Sequence, residues 1–315
     1  MLIKPLIHIG YHKTATTWLQ RELFNVDSDV FVPMSPDNNP NVGIYLGRQF
    51  INDRDGYLLS PFDLNRETIL QELEFILAKI DIGNRVPVLS YERLSGNPHG
   101  GGFDARIIAE RIQAGFPEAR IFCVIREQRQ ILLSTYFQYL KIGGTDTLKT
   151  YQTRSYDGRR PGFSPAHFNY IDLVSCYCHL FARENVLVLP YEMFRNQPGL
   201  FLEKLGKFVS LDISDRADRA EIRYNKRADD VITPRLPFLN LFLESSSVNA
   251  YSPLCTPLAR PLLQLVNRLL PLNRGAHVKK LHQQIDAIVG DRYKTGNRRL
   301  SELIGIDLSA YGYHD

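Results

Sequence analysis

Four short apolar segments, each followed by a longer segment with helical spacing, constrain the fold of this 315-residue chain more than any other feature. Segments this short and this apolar are typical of strands that are buried on both faces. Strands that alternate with helices indicate a parallel sheet covered by helices, an α/β fold, with all strand carboxyl ends at one edge. Ligands bind at that edge in such folds. The predicted strands are Leu6–Ile9, Val86–Leu89, Ile121–Ile125 and Val186–Leu189.

Length and composition fit a single domain over 1–315, with a core over about 1–212 and a helical C-terminal extension over about 235–315. A hydrophobic content of 44% is enough for one large core or two modest ones. The formal net charge of +4 suits an anionic ligand but is too small to indicate nucleic acid binding. No apolar stretch reaches membrane-spanning length and none resembles a signal peptide, so we expect a cytoplasmic protein without a transmembrane segment.

The cysteines predict neither a metal site nor a disulfide framework. A zinc site needs a second ligand pair, and none accompanies the pair formed by Cys176 and Cys178. Cys123 lies in an apolar segment and is expected in the core. Disulfide frameworks are typical of shorter secreted chains, so we expect reduced thiols.

The segment after the first predicted strand combines a cation with hydroxyl groups at the start of a helix. Residues Thr14–Thr17 can present free helix N–H groups and hydroxyls to a phosphate, and Lys13 adds positive charge. The alternative is an ordinary helix N-cap beside a surface lysine. A Walker A loop fits poorly, because His12 stands where that motif has glycine before the lysine. If the segment binds a ligand, it therefore favours a phosphate used without metal over a nucleoside triphosphate with magnesium.

Two motifs at their expected separation resemble those of the sulfotransferases that use 3′-phosphoadenosine 5′-phosphosulfate (PAPS). The segment His8–Gln20 is similar to the 5′-phosphosulfate loop of that family. The segment Arg120–Arg126, continuing to Ser134, is similar to its 3′-phosphate motif, in which a serine follows the strand-end arginine by eight positions. Further similarity to bacterial members lies in Glu184–Glu192 and in Asn297–Tyr313.

The resemblance implies a P-loop nucleotide-hydrolase-like sulfotransferase fold and metal-free, in-line transfer of a sulfuryl group from PAPS to a hydroxyl or amine. A carbohydrate is the expected acceptor. The 5′-phosphate is expected on the backbone amides of Thr14–Trp18, and the 3′-phosphate on the strand-end arginine and its serine. The nucleotide-binding residues so implied are Lys13, Thr14, Ala15, Thr16, Thr17, Trp18, Arg126 and Ser134.

Several of these residues have a structural alternative. Trp18 is expected either against the adenine or as a core aromatic residue. Arg126 either binds phosphate or forms a salt bridge with Glu127. Ala15 stands where many family members have glycine. Since alanine disfavours positive φ, we expect a helical conformation at Ala15.

Charge development in the reaction points to Lys13 as a catalytic residue. Sulfuryl transfer should resemble phosphoryl transfer, in which negative charge builds on the leaving oxygen and a nearby cation stabilises the transition state. Glu92 follows the second predicted strand and is the expected general base, since glycan-modifying members use glutamate. The alternatives for Glu92 are an ion pair with Arg93 or a helix cap. His12 is the rival base, whereas His8 lies within a strand and is expected to be structural.

The remaining segments leave the acceptor open. Residues 143–165 form a predicted long loop that either lines the acceptor cleft or is solvated. The segment Asn97–Gly102 is either a flexible cover or a turn before a helix capped by Asp104. The segment Arg223–Arg227 is a candidate for further 3′-phosphate contacts, and Leu262–Leu272 for contact with a membrane surface, a packed helix or a dimer. A small-molecule kinase and a non-catalytic nucleotide-binding protein are the rival functions, and the sequence does not indicate the oligomeric state.

Overall fold

The computed structural model describes most of the chain. The described residues are 4–34, 50–51, 82–153, 161–213 and 274–315, with the single positions 67, 70, 71, 74, 78, 216 and 240. The segments Arg223–Arg227 and Leu262–Leu272, Cys255 and the arginines of the predicted long loop lie outside these residues.

The sheet has five parallel strands in the order β2-β3-β1-β4-β5. All four predicted strands are present, which confirms the predicted α/β fold. Sequence patterns missed β2, which has only three residues and includes Pro33. The strands are β1 Leu6–His8, β2 Phe31–Pro33, β3 Val86–Ser90, β4 Arg120–Ile125 and β5 Val186–Pro190.

Helices follow the strands and cover the sheet. The first helix begins as α1 and continues through Leu19–Leu23 with π-helical hydrogen bonding. Short 3-10 turns occupy Glu92–Ser95, Pro98–Gly100, Pro165–Phe168, Arg183–Asn185 and Ser309–Tyr311. The α-helices are α1 Thr16–Trp18, α2 Ala105–Gly115, α3 Gln128–Lys141, α4 Leu148–Thr153, α5 Tyr170–Phe181, α6 Tyr191–Asn196, α7 Pro198–Val209, α8 Arg274–Val289 and α9 Lys294–Ile304.

Two hydrophobic clusters fill the two faces of the sheet. Consecutive strand residues point to opposite faces, so Leu6 and Ile7 belong to different clusters. Cys123 is buried in the larger cluster, as expected, and burial raises the pKa of its thiol. Cys176 and Cys178 are half-buried free thiols on α5. With both faces covered, the edge at the strand carboxyl ends is the part of the sheet open to a ligand.

Candidate active site

The backbone after β1 remains hydrogen-bonded to β4 and so holds the loop at the sheet edge. The Tyr11 amide donates to the Val124 carbonyl at 2.8 Å, and the Val124 amide donates to the Gly10 carbonyl at 2.7 Å. Gly10 has φ +93°, and a Cβ atom there would lie 2.9 Å from the Cα and carbonyl oxygen of Glu92. Only glycine therefore lets this loop pack directly on the backbone of Glu92.

The loop turns into the helix through two left-handed residues. Lys13 has φ 64° and Ala15 has φ 66°. The prediction that Ala15 would already be helical is wrong. The reversal from β1 into α1 requires a left-handed residue at this position, and the tertiary packing imposes that conformation on alanine at a cost of about 1–2 kcal/mol. Ala15 instead serves as the N-cap residue of α1.

The threonines of the loop have different environments. Thr14 is buried, and its hydroxyl donates to the Tyr11 carbonyl, so its side chain stabilises the loop itself. The buried Thr16 hydroxyl interacts with Glu92 and lowers the pKa of that carboxyl, although none of the described residues gives it a partner with ordinary hydrogen-bond geometry. Thr17 is half-buried at the start of α1.

Arg126 connects the loop to the motif at the end of β4. One terminal nitrogen of its guanidinium, Nη1, donates to the Lys13 carbonyl at 3.1 Å and to Ser134 Oγ at 3.2 Å. The guanidinium carbon lies 4.9 Å from the centre of the Tyr191 ring. The structure thus brings together the strand-end arginine, its serine eight positions later and the loop after β1.

Glu127 does not form the alternative salt bridge with Arg126. Its carboxylate accepts from the backbone amides of Arg129 at 3.0 Å and Gln130 at 3.1 Å, which caps α3, and it pairs with the Arg129 guanidinium at 3.3 Å. Within the described part of the chain, no carboxylate lies at ion-pair distance from Arg126. The Arg126 side chain is therefore not neutralised by a neighbouring acid there.

Glu92 and His12 lie side by side at the edge next to Lys13. Glu92 begins the turn after β3, and its Oε1 atom is 3.9 Å from His12 Nε2. Burial raises the pKa of Glu92, while Lys13 and Thr16 act in the opposite direction. Arg93 does not pair with Glu92, because it binds Asp104 at 2.5 Å.

His12 is held in its neutral form. The residue is buried, and burial together with the charges of Arg93 and Lys13 lowers its pKa to about 3. Lys13 is exposed as a residue, but partial loss of hydration still lowers the pKa of its ammonium group. Lys141 and Arg126 lower this pKa further, whereas Glu92 raises it. The site therefore combines clustered cations with one carboxylate that binds protons more tightly than usual.

Comparison with solved structures identifies the architecture. No protein-family model matches the chain, and no curated protein does. A sulfotransferase from Alicyclobacillus acidocaldarius superimposes with a TM-score of 0.52 at 15% sequence identity, covering 99% of this chain and 100% of that one. The chain has the sulfotransferase fold. Two further matches are a mouse sulfotransferase, SULT7A1, complexed with PAP (TM-score 0.40, 14% identity, 89% and 90% coverage) and the sulfotransferase domain from the curacin biosynthetic pathway (TM-score 0.42, 12% identity, 91% and 98% coverage).

Trp18 occupies the core in this sulfotransferase fold. It is 3% exposed, and its ring centre lies 4.9 Å from that of Phe194. This is the core alternative rather than an indole face open to adenine. A different aromatic residue, Tyr191, has its half-buried ring under Arg126. Sequence reasoning assigned no role to Tyr191. Its position directly after β5 was the signal that could have found it.

His8 is structural, as predicted for a histidine within a strand. It is completely buried, with Nδ1 2.8 Å from Ser90 Oγ, and burial lowers its pKa to about 3. The side chain of Gln20 also donates to the Ser90 carbonyl at 2.9 Å. This group joins β1, β3 and the first helix beneath the loop.

The segment Asn97–Gly102 forms a hydrogen-bonded turn before α2. Asn97 accepts from the His99 amide at 3.0 Å, and the Asn97 amide donates to Asp104 at 2.9 Å. A Cβ atom on Gly102, which has φ +67°, would lie 2.0 Å from His167 Nδ1. Asp104 precedes α2 as predicted, but its carboxylate binds Asn97 and Arg93 and does not cap the helix.

Among the described residues, no cluster of histidine, cysteine, aspartate or glutamate side chains is arranged to hold a metal ion. Nor does any helix in the described part of the chain have the length and apolar character needed to cross a membrane.

Proposed function

We propose that this chain transfers the sulfuryl group of PAPS to a hydroxyl or amine of an acceptor, without metal. The observation that carries the proposal is the contact of Arg126 with both Ser134 and the Lys13 carbonyl. These contacts make the loop after β1 and the end of β4 one continuous surface. A nucleotide with phosphates at both its 3′ and 5′ positions fits such a surface because each phosphate meets its own set of donors.

The nucleotide is held by backbone and side-chain donors from two strand ends. The backbone amides of Thr14–Trp18 and the Thr16 and Thr17 hydroxyls bind the 5′-phosphate, at the start of the first helix. Arg126 and Ser134 bind the 3′-phosphate. The guanidinium suits this task because its planar fork can donate to two phosphate oxygens at once.

Lys13 and Glu92 carry out the chemistry. Glu92 removes the proton from the acceptor group, whose oxygen or nitrogen then attacks sulfur in line with the bond to the leaving 5′-phosphate. That sulfur–oxygen bond breaks, and its electron pair remains on the phosphate oxygen. Lys13 stabilises the negative charge that develops there, which lowers the barrier because the interaction is stronger in the transition state than in the ground state.

The acceptor in this proposal is a carbohydrate. Support comes from Glu92 at the end of β3. In the family that this chain resembles, the members that modify glycans use a glutamate as the base. A cytoplasmic location and contact of Leu262–Leu272 with a membrane surface remain predictions, and the latter segment lies outside the described residues.

Labelled PAPS, incubated with a panel of glycans, lipids, peptides and phenols, tests the proposal. We expect label to pass to a glycan, and we expect adenosine 3′,5′-bisphosphate (PAP) to bind by calorimetry. Ser134→Ala should weaken PAP binding by roughly tenfold through loss of a phosphate donor, whereas the exposed Ser309→Ala should not. Magnesium-dependent turnover of ATP would instead indicate a kinase. Tight PAP binding without transfer to any acceptor would indicate a non-catalytic protein.

A further inference from the structure

Two acidic side chains lie near Arg126 and could neutralise its guanidinium. Glu127 follows Arg126 directly. Glu192 follows Tyr191, whose ring centre lies 4.9 Å from the guanidinium carbon, and the charge of Arg126 lowers the pKa of the Glu192 carboxyl. An arginine paired with a carboxylate is a poor phosphate ligand, because the phosphate must first displace the acid. Both acids are nevertheless bound to other groups.

Glu127 is occupied by its own helix. Its two carboxylate oxygens accept from the backbone amides at the start of α3, and Arg129 supplies a further charge-assisted contact at 3.3 Å. The same residue uses its backbone amide to hold Glu192, donating to Oε1 at 3.1 Å. The carboxylate of Glu127 is therefore not directed at Arg126, and the backbone amide of Glu127 holds the carboxylate of Glu192.

Glu192 receives its second hydrogen bond from the segment that follows α9. The hydroxyl of Tyr313 donates to Glu192 Oε2 at 3.1 Å, and the tyrosine is 2% exposed. Glu192 is 5% exposed, and burial raises the pKa of its carboxyl while these two donors oppose the shift. Both oxygens of this buried carboxylate are therefore directed at donors other than Arg126.

The segment that carries Tyr313 is itself fixed to the start of α3. Gln128 and Asn297 exchange side-chain hydrogen bonds of 2.7 and 3.3 Å, and Asn297 also donates to the His314 carbonyl at 2.7 Å. The backbone of Arg126 is held separately, by the Tyr170 hydroxyl at 2.5 Å. The hydroxyl of Tyr313 thus has a defined position relative to the end of β4.

We propose that Tyr313 is a positioning residue for the nucleotide site: its hydroxyl holds Glu192 away from Arg126 and so keeps the guanidinium available for the 3′-phosphate. The proposal rests on the proposed function, because it concerns the same phosphate subsite. Removing the hydroxyl leaves a buried carboxylate oxygen without its donor, and the guanidinium of Arg126 is a cation that can replace that donor.

Calorimetric titration of the full chain with PAP tests the proposal. We expect Tyr313→Phe to weaken PAP binding about tenfold, or about 1.4 kcal/mol. In turnover assays the KM for PAPS should rise while the KM for the acceptor stays the same. Tyr293→Phe is the control: Tyr293 is 1% exposed, and its hydroxyl donates to the Pro165 carbonyl at 2.7 Å in a part-buried hydrogen bond that does not involve Glu192.

A double variant separates positioning from loss of stability. Adding Glu192→Gln to Tyr313→Phe removes the negative charge that competes for Arg126, so PAP affinity should return toward that of the unaltered chain even if the melting temperature does not. The proposal is overturned if Tyr313→Phe binds PAP normally, if Tyr293→Phe weakens binding equally, or if the double variant shows no recovery. Absence of PAP binding by the unaltered chain would overturn the proposed function and this inference with it.

Discussion

The Nε2 atom of His12 lies 3.9 Å from the Oε1 atom of Glu92, yet burial shifts the pKa values of the two groups in opposite directions. Burial favours the neutral form of each group. For His12 this lowers the pKa to about 3, and for Glu92 it raises the pKa. At neutral pH the imidazole is therefore uncharged, and the carboxylate is the stronger proton acceptor of a pair that sequence alone could not rank.

This difference predicts the acid limb of the pH–rate profile. A general base works only when deprotonated, so turnover should fall as pH decreases through the raised pKa of Glu92, above the usual carboxyl range near 4.5. Glu92→Gln should lower kcat by roughly 10²–10⁴-fold and abolish that limb. The measurement is kcat against pH with saturating PAPS.

His12→Asn is the matched comparison, because it alters the neighbouring side chain while leaving the carboxylate. We expect the acid limb to persist in this variant. If instead His12→Asn removes the limb and Glu92→Gln retains it, the base has been assigned to the wrong residue.

Lys13 is expected to contribute to the rate and little to stability. Its residue is exposed, and its left-handed backbone is no worse for alanine than for lysine. Lys13→Ala should therefore lower kcat by about 10²–10³-fold, the usual effect of removing one group that stabilises developing charge, with nearly the same melting temperature. Lys149→Ala, which removes an exposed lysine from α4, serves as the control. A near-normal rate for Lys13→Ala would refute the catalytic role.

The fold was predictable because its information is local. Each long strand is a continuous apolar segment, and alternation with helices leaves few arrangements open. β2 was not predicted because a segment of three residues ending in proline is too short to show the apolar pattern of a strand. Lys13, Arg126 and Ser134 could be proposed as site residues for the same reason, since each belongs to a short motif whose spacing is visible in the sequence.

The rest of the site depends on contacts between distant residues. Tyr313 and Glu192 are 121 positions apart, and no periodicity relates them. The prediction for Ala15 was wrong because the packing of the loop between β4 and Glu92 overrides the intrinsic preference of alanine for negative φ. Trp18 was ambiguous because burial, which decides between a core residue and a ligand contact, is a property of the folded chain.

The left-handed alanine predicts a stabilising substitution. Ala15→Gly relieves a left-handed conformation worth about 1–2 kcal/mol but gains unfolded-state entropy worth about 0.5–1 kcal/mol. We therefore expect the free energy of unfolding to rise by up to about 1.5 kcal/mol, measured by urea denaturation. Ala287→Gly, at an exposed position within α8, should instead lower it by about 1 kcal/mol. Destabilisation by both changes would show that Ala15 is not strained.

Buried neutral histidines predict that the protein loses stability in mild acid. Burial lowers the pKa of four histidines to about 3, against about 6.5 in an unfolded chain. Below about pH 6.5 the unfolded state therefore binds more protons, and the free energy of unfolding should fall by about 1.4 kcal/mol per histidine per pH unit. The four are His8, His12, His99 and His167.

The slope of stability against pH distinguishes this cause from general acid sensitivity. Urea denaturation at several values between about pH 7 and about pH 5 gives that slope, which counts the protons taken up on unfolding. His8→Asn removes one of four such protons, so the slope should fall by about a quarter even though the variant is less stable overall. An unchanged slope in His8→Asn would mean that this histidine is already protonated in the folded protein, and that its burial does not cause the loss of stability in acid.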